Sequence, residues 1–218
     1  MLLALDTSTA YAGICLMHPA TGRVVEERVW HTGIRHSEQL IPTVDAALRQ
    51  HGLGPDALSA IAVAVGPGTF NGVRVAVATA KLLASARGLP LVGVDTLELY
   101  ARPGMLVRPL LSAARGEAAT ALFRGAERLE EDRVAGPEEL FRPPAEPTLF
   151  TGELTDEWRA AIAQLGPSAL LASPAEALRR SSTLAEIALG RLARGETDDH
   201  AALQAIYLRA PHITQARR

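Results

Sequence analysis

Val63-Ala64-Val65-Gly66-Pro67-Gly68-Thr69-Phe70-Asn71-Gly72-Val73-Arg74 is the stretch that decides how this chain folds. It continues an apolar run that begins at Ala60, and such a run predicts a buried strand. Three glycines within seven residues then predict a tight turn, because glycine accepts positive φ and lets other groups approach the backbone. Asn71 is a favourable N-cap, and residues 73–87 contain neither glycine nor proline, so a helix follows. A helix N-terminus after a glycine turn favours an anion.

A glycine turn between strand and helix has two interpretations, and the stretch alone does not separate them. It is either a tight connection in an α/β fold without a ligand or a site for an anion. The pattern is not a P-loop, because Gly-x-x-x-x-Gly-Lys-Ser/Thr is absent. It also differs from the dinucleotide-binding fingerprint, since its Gly-x-Gly-x-x-x-Gly spacing is one residue too long.

The helix after the turn carries small side chains at regular spacing. The small residues, which recur at every fourth position, are Gly72, Ala76, Ala80 and Ala84. They form a ridge that lets another helix approach closely. Larger apolar side chains elsewhere on the cylinder are Val73, Val77, Leu82 and Leu83. A helix that is apolar nearly all round is buried on more than one side, so it is either a central core helix or a helix shared with a partner subunit.

An acidic residue and three hydroxyls follow the first predicted strand. Residues 2–5, 12–17 and 24–30 predict an antiparallel β-meander, with Asp6-Thr7-Ser8-Thr9 at its first turn. A carboxylate surrounded by hydroxyls and amides suits a metal-bound phosphate. The alternative is an Asx or Ser/Thr turn that closes a hairpin.

Composition excludes several classes of protein. The chain has 218 residues, 48% hydrophobic and 21% charged, which is ordinary for a soluble globular protein of one large or two small domains. A single cysteine, Cys15, excludes a disulfide framework and a cysteine zinc site, and we expect a cytoplasmic location. A net charge of −2 makes the chain a poor candidate for holding nucleic acid alone. We expect no signal peptide and no membrane span.

Helical periodicity predicts two further helices in the first half of the chain. Residues 36–51 form one, in which Pro42 predicts a bent or 3₁₀ first turn. Asp95 and Glu98 resemble a capping box, which predicts a second helix that ends near Arg102.

A proline and glycine break at residues 102–104 predicts a domain boundary. It separates an N-terminal lobe, residues 1–102, from a second unit, residues 103–195. Residues 196–218 are predicted to be a tail that returns toward the first lobe. In the second unit, the charged residues 127–134 predict an edge strand.

Five segments together resemble a known family. Residues 66–74 are similar to the signature Gly-Pro-Gly-Ser-Phe-Thr-Gly-hydrophobic-Arg, with Thr69 for serine and Asn71 for threonine. The other segments are residues 3–8, 35–42, 93–97 and 207–209. The family they resemble is TsaB (YeaZ), a subunit of the bacterial machinery that makes N6-threonylcarbamoyladenosine in tRNA. The resemblance is strong over residues 1–100 and thin over 101–195, apart from Gly116-Glu117.

The resemblance implies an α/β, actin-like fold of the ASKHA, RNase H-like class, with two lobes and a reduced second lobe. It implies a non-catalytic dimerisation or scaffold subunit that binds the paralogous catalytic subunit TsaD, joined by the ATPase TsaE. The partner contact in the family lies on N-terminal helices, which correspond here to residues 37–51 and 72–87. The interface residues expected from this are Leu40, Val44, Leu48, Gly72, Val73, Ala76, Val77, Ala80, Leu83 and Ala84.

The resemblance also implies how the chain meets other molecules. We expect a homodimer through the same patch when TsaD is absent, and contact with tRNA only through the complex. ATP or ADP is expected only at the junction with TsaD, and the chain is expected to hold no cofactor or metal of its own.

Departures from the family pattern favour a pseudo-enzyme. The second-lobe turn, where other members tend to have Asp-Ala-Arg-x-Gly-Glu-Val-Tyr, has Ser112 in place of the acid, with Ala114 and Ala119 in place of the arginine and tyrosine. The chain also lacks a His-x-x-x-His pair, which argues against a metalloprotease. The contacts to phosphate or nucleotide would then be vestigial, at Asp6, Thr7, Ser8, Gly66, Gly68 and Thr69.

An active ATPase or sugar kinase of the same fold is the alternative. It requires a second catalytic acid, for which Glu117 and Asp95 are the nearest candidates.

Overall fold

A five-stranded mixed sheet occupies the first half of the chain in the computed structural model, which describes residues 1–208. Its strands are β1 (Leu2–Asp6), β2 (Tyr11–His18), β3 (Arg23–His31), β4 (Ala60–Ala64) and β5 (Leu91–Val94). The order is β3-β2-β1-β4-β5, in which the first three strands are antiparallel and β4 and β5 run parallel to β1. The carboxyl ends of β1, β4 and β5 therefore meet at one edge, where ligands bind in many α/β sheets.

Three helices cover the two faces of this sheet. α1 (His36–Gln50) and α2 (Phe70–Arg87) pack on one face, and α5 (Ser181–Ala193) packs on the other. Every residue of β1 and β4 is buried, as expected for strands covered on both sides. By its packing α5 adjoins the first sheet, although its sequence lies within the segment predicted as the second unit.

A second five-stranded sheet follows the break at residues 102–104. Its strands are β6 (Leu106–Ser112), β7 (Ala118–Arg124), β8 (Glu127–Ala135), β9 (Thr148–Gly152) and β10 (Ala169–Leu171). The order is β10-β9-β6-β7-β8, so the charged strand β8 lies at an edge, as predicted. Two short helices, α3 (Pro137–Leu140) and α4 (Asp156–Ala163), contribute Leu140, Trp158 and Ile162 to the core on one face of this sheet. Over the described residues, no helix combines the length and apolarity that crossing a bilayer requires.

The connection between the sheets differs from its prediction. The expected helix after β5 is only a 3₁₀ turn, Glu98–Tyr100. Asp95 does accept a hydrogen bond from the Leu97 N–H (2.6 Å), but Leu97 and Tyr100 are then buried in an apolar cluster with β7 residues such as Phe123. This tertiary packing outweighs the local capping pattern.

Two details of the predicted helices are also wrong. The N-cap of α2 is Thr69 rather than Asn71, which lies inside the helix. The first turn of α1 is α-helical despite Pro42, with the Gln39 N–H donating to the Arg35 carbonyl (3.2 Å). Since proline removes only a bond to the residue four before it, the turn that precedes Pro42 keeps its geometry.

Residues 198–207 form a C-terminal strap against the first lobe. The strap begins where the Asp198 N–H donates to the Leu91 carbonyl (2.8 Å), and the Ile206 N–H donates to the Val65 carbonyl (2.7 Å). Lys81 of α2 donates to the Leu203 carbonyl (2.9 Å). Residues 209–218, which include the Arg209 of the tail motif, lie outside the described residues.

Cys15 provides a test of the first sheet. Its thiol is buried on β2, and burial raises its pKa to about 12, with the Glu27 carboxylate adding to the shift. Because the thiolate is the reactive form, we expect no alkylation by iodoacetamide at neutral pH in the native protein and full alkylation after unfolding in guanidinium. Mass spectrometry measures both, and prompt alkylation of the native protein would contradict the buried position of β2.

Candidate functional site

The glycine turn and the Asp6 turn pack against each other, backbone to backbone. A Cβ atom on Gly68 would lie 2.2 Å from the Ser8 carbonyl oxygen, and one on Gly72 would lie 2.1 Å from the Thr7 carbonyl oxygen. The Thr69 N–H donates to the Ser8 carbonyl (2.6 Å), and the Thr7 hydroxyl donates to the Gly72 carbonyl (2.6 Å). These two glycines are therefore required by contact between two turns of the same chain.

Gly66, the first glycine of the turn, supports the C-terminal strap. Its φ is +102°, and a Cβ there would lie 2.6 Å from the Ile206 carbonyl oxygen. Its N–H donates to the Thr96 hydroxyl (3.1 Å), which in turn donates to the Ser8 hydroxyl (3.0 Å). Two of the amides that were predicted to attract an anion, those of Gly66 and Thr69, are thus paired within the protein.

Asp6 is held by an arginine that the sequence did not reveal. Arg179 Nε donates to Asp6 Oδ2 (2.7 Å), and both side chains are 4% exposed. The other carboxylate oxygen, Oδ1, accepts from the Ser8 N–H (2.8 Å) and from the Ser8 hydroxyl. The guanidinium also donates to Tyr100 Oη (2.9 Å) and to Thr9 Oγ1 (2.8 Å).

The charge states follow from this arrangement. Burial alone would lower the pKa of Arg179, but the Asp6 carboxylate, together with Tyr100 and Glu153, outweighs burial and raises the pKa above its ordinary value. Burial raises the pKa of Tyr100. At neutral pH the site therefore holds a guanidinium cation and a neutral phenol.

A metal-bound phosphate does not fit Asp6 in this arrangement. Both carboxylate oxygens already accept hydrogen bonds, one of them from the guanidinium cation of Arg179. Over residues 1–208, no three His, Cys, Asp or Glu side chains come together as a metal-binding group. Arg179 is 173 residues from Asp6, so no local pattern links the two.

The second-lobe turn lies at the end of β6, with the substitutions noted above. Ser112 is exposed there and pairs with Ala118 across the β6–β7 ladder. Ala119 is buried in the cluster between the sheets. Arg115 has a φ of +66°, which is uncommon for a residue other than glycine. The turn therefore still connects β6 and β7, although Ser112 replaces the acid of the family pattern.

The residues expected at the partner interface are mostly buried within the chain itself. Nine of the ten are buried, and Leu83 is half-buried. The small-residue ridge of α2 faces α1 and the first sheet, so its side chains belong to the chain's own core. Any contact with a partner through these helices must therefore use their other faces.

The exposed face of α2, which we call the α2 face, combines apolar side chains with an arginine. Arg74, Ala78 and Leu82 are exposed at spacings of four residues, and Leu82 is 70% exposed. Two grooves flank Arg74 and Ala78: one reaches the strap at Tyr207, and the other reaches Ile34, which is 95% exposed. An apolar surface that is exposed to this extent is typical of an interaction site.

The close contact of the two turns gives a first prediction for this site. Gly68→Ala forces apart the Ser8 carbonyl and the new methyl group, so we expect the free energy of unfolding to fall by about 1–3 kcal/mol. Gly54→Ala is the matched control, because Gly54 has a φ of −108° and nothing within 4 Å of the added Cβ. Urea unfolding compares the two, and equal stabilities would contradict the packing of the turns.

The two faces of α2 give a second prediction. Ala80→Glu places a charge in the core, and we expect a loss of about 4 kcal/mol or more, or failure to fold. Ala78→Glu on the exposed face should change stability by less than about 0.5 kcal/mol. Thermal unfolding followed by circular dichroism measures both, and a stable Ala80→Glu protein would contradict the orientation of the helix.

Comparisons with known sequences agree with the resemblance. The family model described as TsaD: tRNA N6-adenosine threonylcarbamoyltransferase matches residues 24–164. The chain is 32% identical over 196 residues to the tRNA threonylcarbamoyladenosine biosynthesis protein TsaB of Bacillus subtilis, which covers 84% of this chain and 85% of that protein. It is 46% identical over 82 residues to the tRNA N6-adenosine threonylcarbamoyltransferase of Anaeromyxobacter dehalogenans, over 38% of this chain and 24% of that protein.

Solved structures agree as well. YeaZ from Pseudomonas aeruginosa has a TM-score of 0.80 and 25% sequence identity, over 95% of this chain and 99% of that one. A second Pseudomonas aeruginosa structure, described as an uncharacterized protein with similarity to peptidase YEAZ, has a TM-score of 0.79 and 26% identity over the same shares. The predicted two-lobed, actin-like α/β fold is thereby confirmed.

Proposed function

The chain belongs to the TsaB (YeaZ) family, and on this basis we propose that it is a non-catalytic subunit of the machinery that makes N6-threonylcarbamoyladenosine in tRNA. Its proposed role is to bind the catalytic subunit TsaD, with TsaE joining the assembly. The observation that carries the non-catalytic role is the pairing of Asp6 with Arg179, which occupies the carboxylate that phosphate chemistry would need.

The α2 face is the proposed docking surface for TsaD. Its exposed apolar side chains, Ala78 and Leu82, lie on the same helix that the family resemblance assigns to the partner contact. Arg74 lies over the Phe70 ring, 4.9 Å from its centroid, and Phe70 contacts the Tyr207 ring at 5.0 Å. An arginine stacked on one of two contacting, partly exposed aromatic rings matches the composition of protein–protein hot spots.

Three further assignments concern self-association, tRNA and nucleotide binding. Self-association through the α2 face would bury it when TsaD is absent, giving a symmetric homodimer. A net charge of −2 favours contact with tRNA only through the complex. Because Asp6 is neutralised within the chain, ATP or ADP is proposed to bind at the junction with TsaD rather than in this subunit.

The test of this function is complex formation with TsaD by the wild-type protein and by Ala78→Glu. We expect a stable complex with the wild type and binding at least roughly 100-fold weaker with the variant, because a desolvated, unpaired carboxylate costs several kcal/mol in an interface. Isothermal titration calorimetry measures the two dissociation constants.

Ala145→Glu is the matched control, because it introduces the same charge at an exposed loop position of the second lobe. It should bind TsaD like the wild type. Unchanged binding by Ala78→Glu would show that the docking surface lies elsewhere. If the wild type fails to bind TsaD and hydrolyses ATP alone, with loss of turnover in Asp6→Asn, the enzyme alternative holds instead.

A further inference from the structure

The side chain of Arg179 contacts segments of the chain that lie far apart in sequence. It precedes α5, yet four of the five N–H groups of its guanidinium donate to the turn after β1 and to the connection between the sheets. The acceptors are Asp6 Oδ2, Tyr100 Oη, Thr9 Oγ1 and the Tyr11 carbonyl, at 2.7–3.1 Å. Its Nη1 also lies 3.7 Å from Glu153, which follows β9 of the second sheet.

These contacts close the crevice at the carboxyl ends of two strands. Asp6 ends β1 and Glu153 follows β9, and both carboxylates face the same guanidinium. A cavity of about 350 Å³ remains beside Arg179, with Tyr11, Glu153 and Arg159 in its lining. A ligand in that cavity meets a guanidinium whose donors are largely used, and it reaches Asp6 only if Arg179 moves away.

A second arginine holds the lobes together at the other end of the second sheet. Arg128, at the start of β8, lies 3.4 Å from Asp95, which follows β5 of the first sheet. Its guanidinium packs over the Phe123 ring, 4.8 Å from the centroid, and also pairs with Asp132. Motion that opened the crevice at Arg179 would therefore be resisted by an ion pair on the opposite side of the lobe contact.

We propose that Arg179 is a built-in counter-cation that takes the place of a divalent metal at Asp6 and so keeps the crevice between the lobes closed to metal-bound phosphates. The proposal deepens the non-catalytic role proposed above, which rests on the same Asp6–Arg179 pair, and it does not depend on the docking surface at the α2 face. It assigns Arg179 a role in excluding a ligand in addition to its role in stability.

The experiment measures Mn²⁺ binding by electron paramagnetic resonance. Wild-type protein should bind Mn²⁺ no better than Asp6→Asn does. Arg179→Gln keeps a hydrogen-bond donor near Asp6 but removes the positive charge, and we expect its Mn²⁺ affinity to rise by at least about tenfold. The double variant Asp6→Asn/Arg179→Gln should lose this gain, and Arg179→Lys, which keeps the charge, should not acquire it.

Several outcomes would overturn the proposal. A folded Arg179→Gln protein with unchanged Mn²⁺ affinity, or a gain that survives in the double variant, overturns the proposal. If Arg179→Gln does not fold, Mn²⁺ binding by the wild type that is lost in Asp6→Asn still overturns the proposal, because it shows that Arg179 does not exclude the metal. A purely structural role of Arg179 predicts lower stability with no Asp6-dependent gain of Mn²⁺ affinity.

Discussion

The buried ion pair between Asp6 and Arg179 is the interaction on which the centre of this molecule depends. A carboxylate and a guanidinium that are each 4% exposed lose most of their hydration, which costs several kcal/mol per ion. The cost is offset because both carboxylate oxygens and four of the five guanidinium N–H groups find partners: Ser8 on one side of the carboxylate, and Thr9, Tyr11 and Tyr100 around the guanidinium. Removing one member of such a pair typically costs about 3–5 kcal/mol, so the three chain segments that meet there are strongly coupled.

The glycine turn shows how a pattern associated with ligands serves the fold itself. Its three glycines are needed where the chain passes within contact distance of Ser8, Thr7 and Ile206. A side chain at any of them would displace backbone atoms and not the end of a flexible side chain. The amides of Gly66 and Thr69 already donate within the protein, so these two are not available to an anion.

Much of the first sheet was predictable from the sequence, because its strands and helices are continuous apolar or periodic runs. The edge position of β8 was also predictable, because a strand that carries many charged residues favours the edge of a sheet. The role of Arg179 was not, since this side chain acts through contacts distant in sequence that leave no local pattern. The helix predicted after β5 failed because burial of Leu97 and Tyr100 between the sheets overrides a short capping signal.

The small-residue ridge of α2 shows that a sequence pattern alone does not identify a protein interface. Small residues four apart show that something packs closely against a helix, but they do not show whether it is the chain's own core or another protein. Here the ridge packs against α1 and the first sheet. Arg74, Ala78 and Leu82 lie on the opposite side of the helix. The Asp6 carboxylate is turned inward and paired with Arg179, while the apolar side chain of Leu82 is exposed on the α2 face. That distribution supports the proposed role of a subunit that binds another protein.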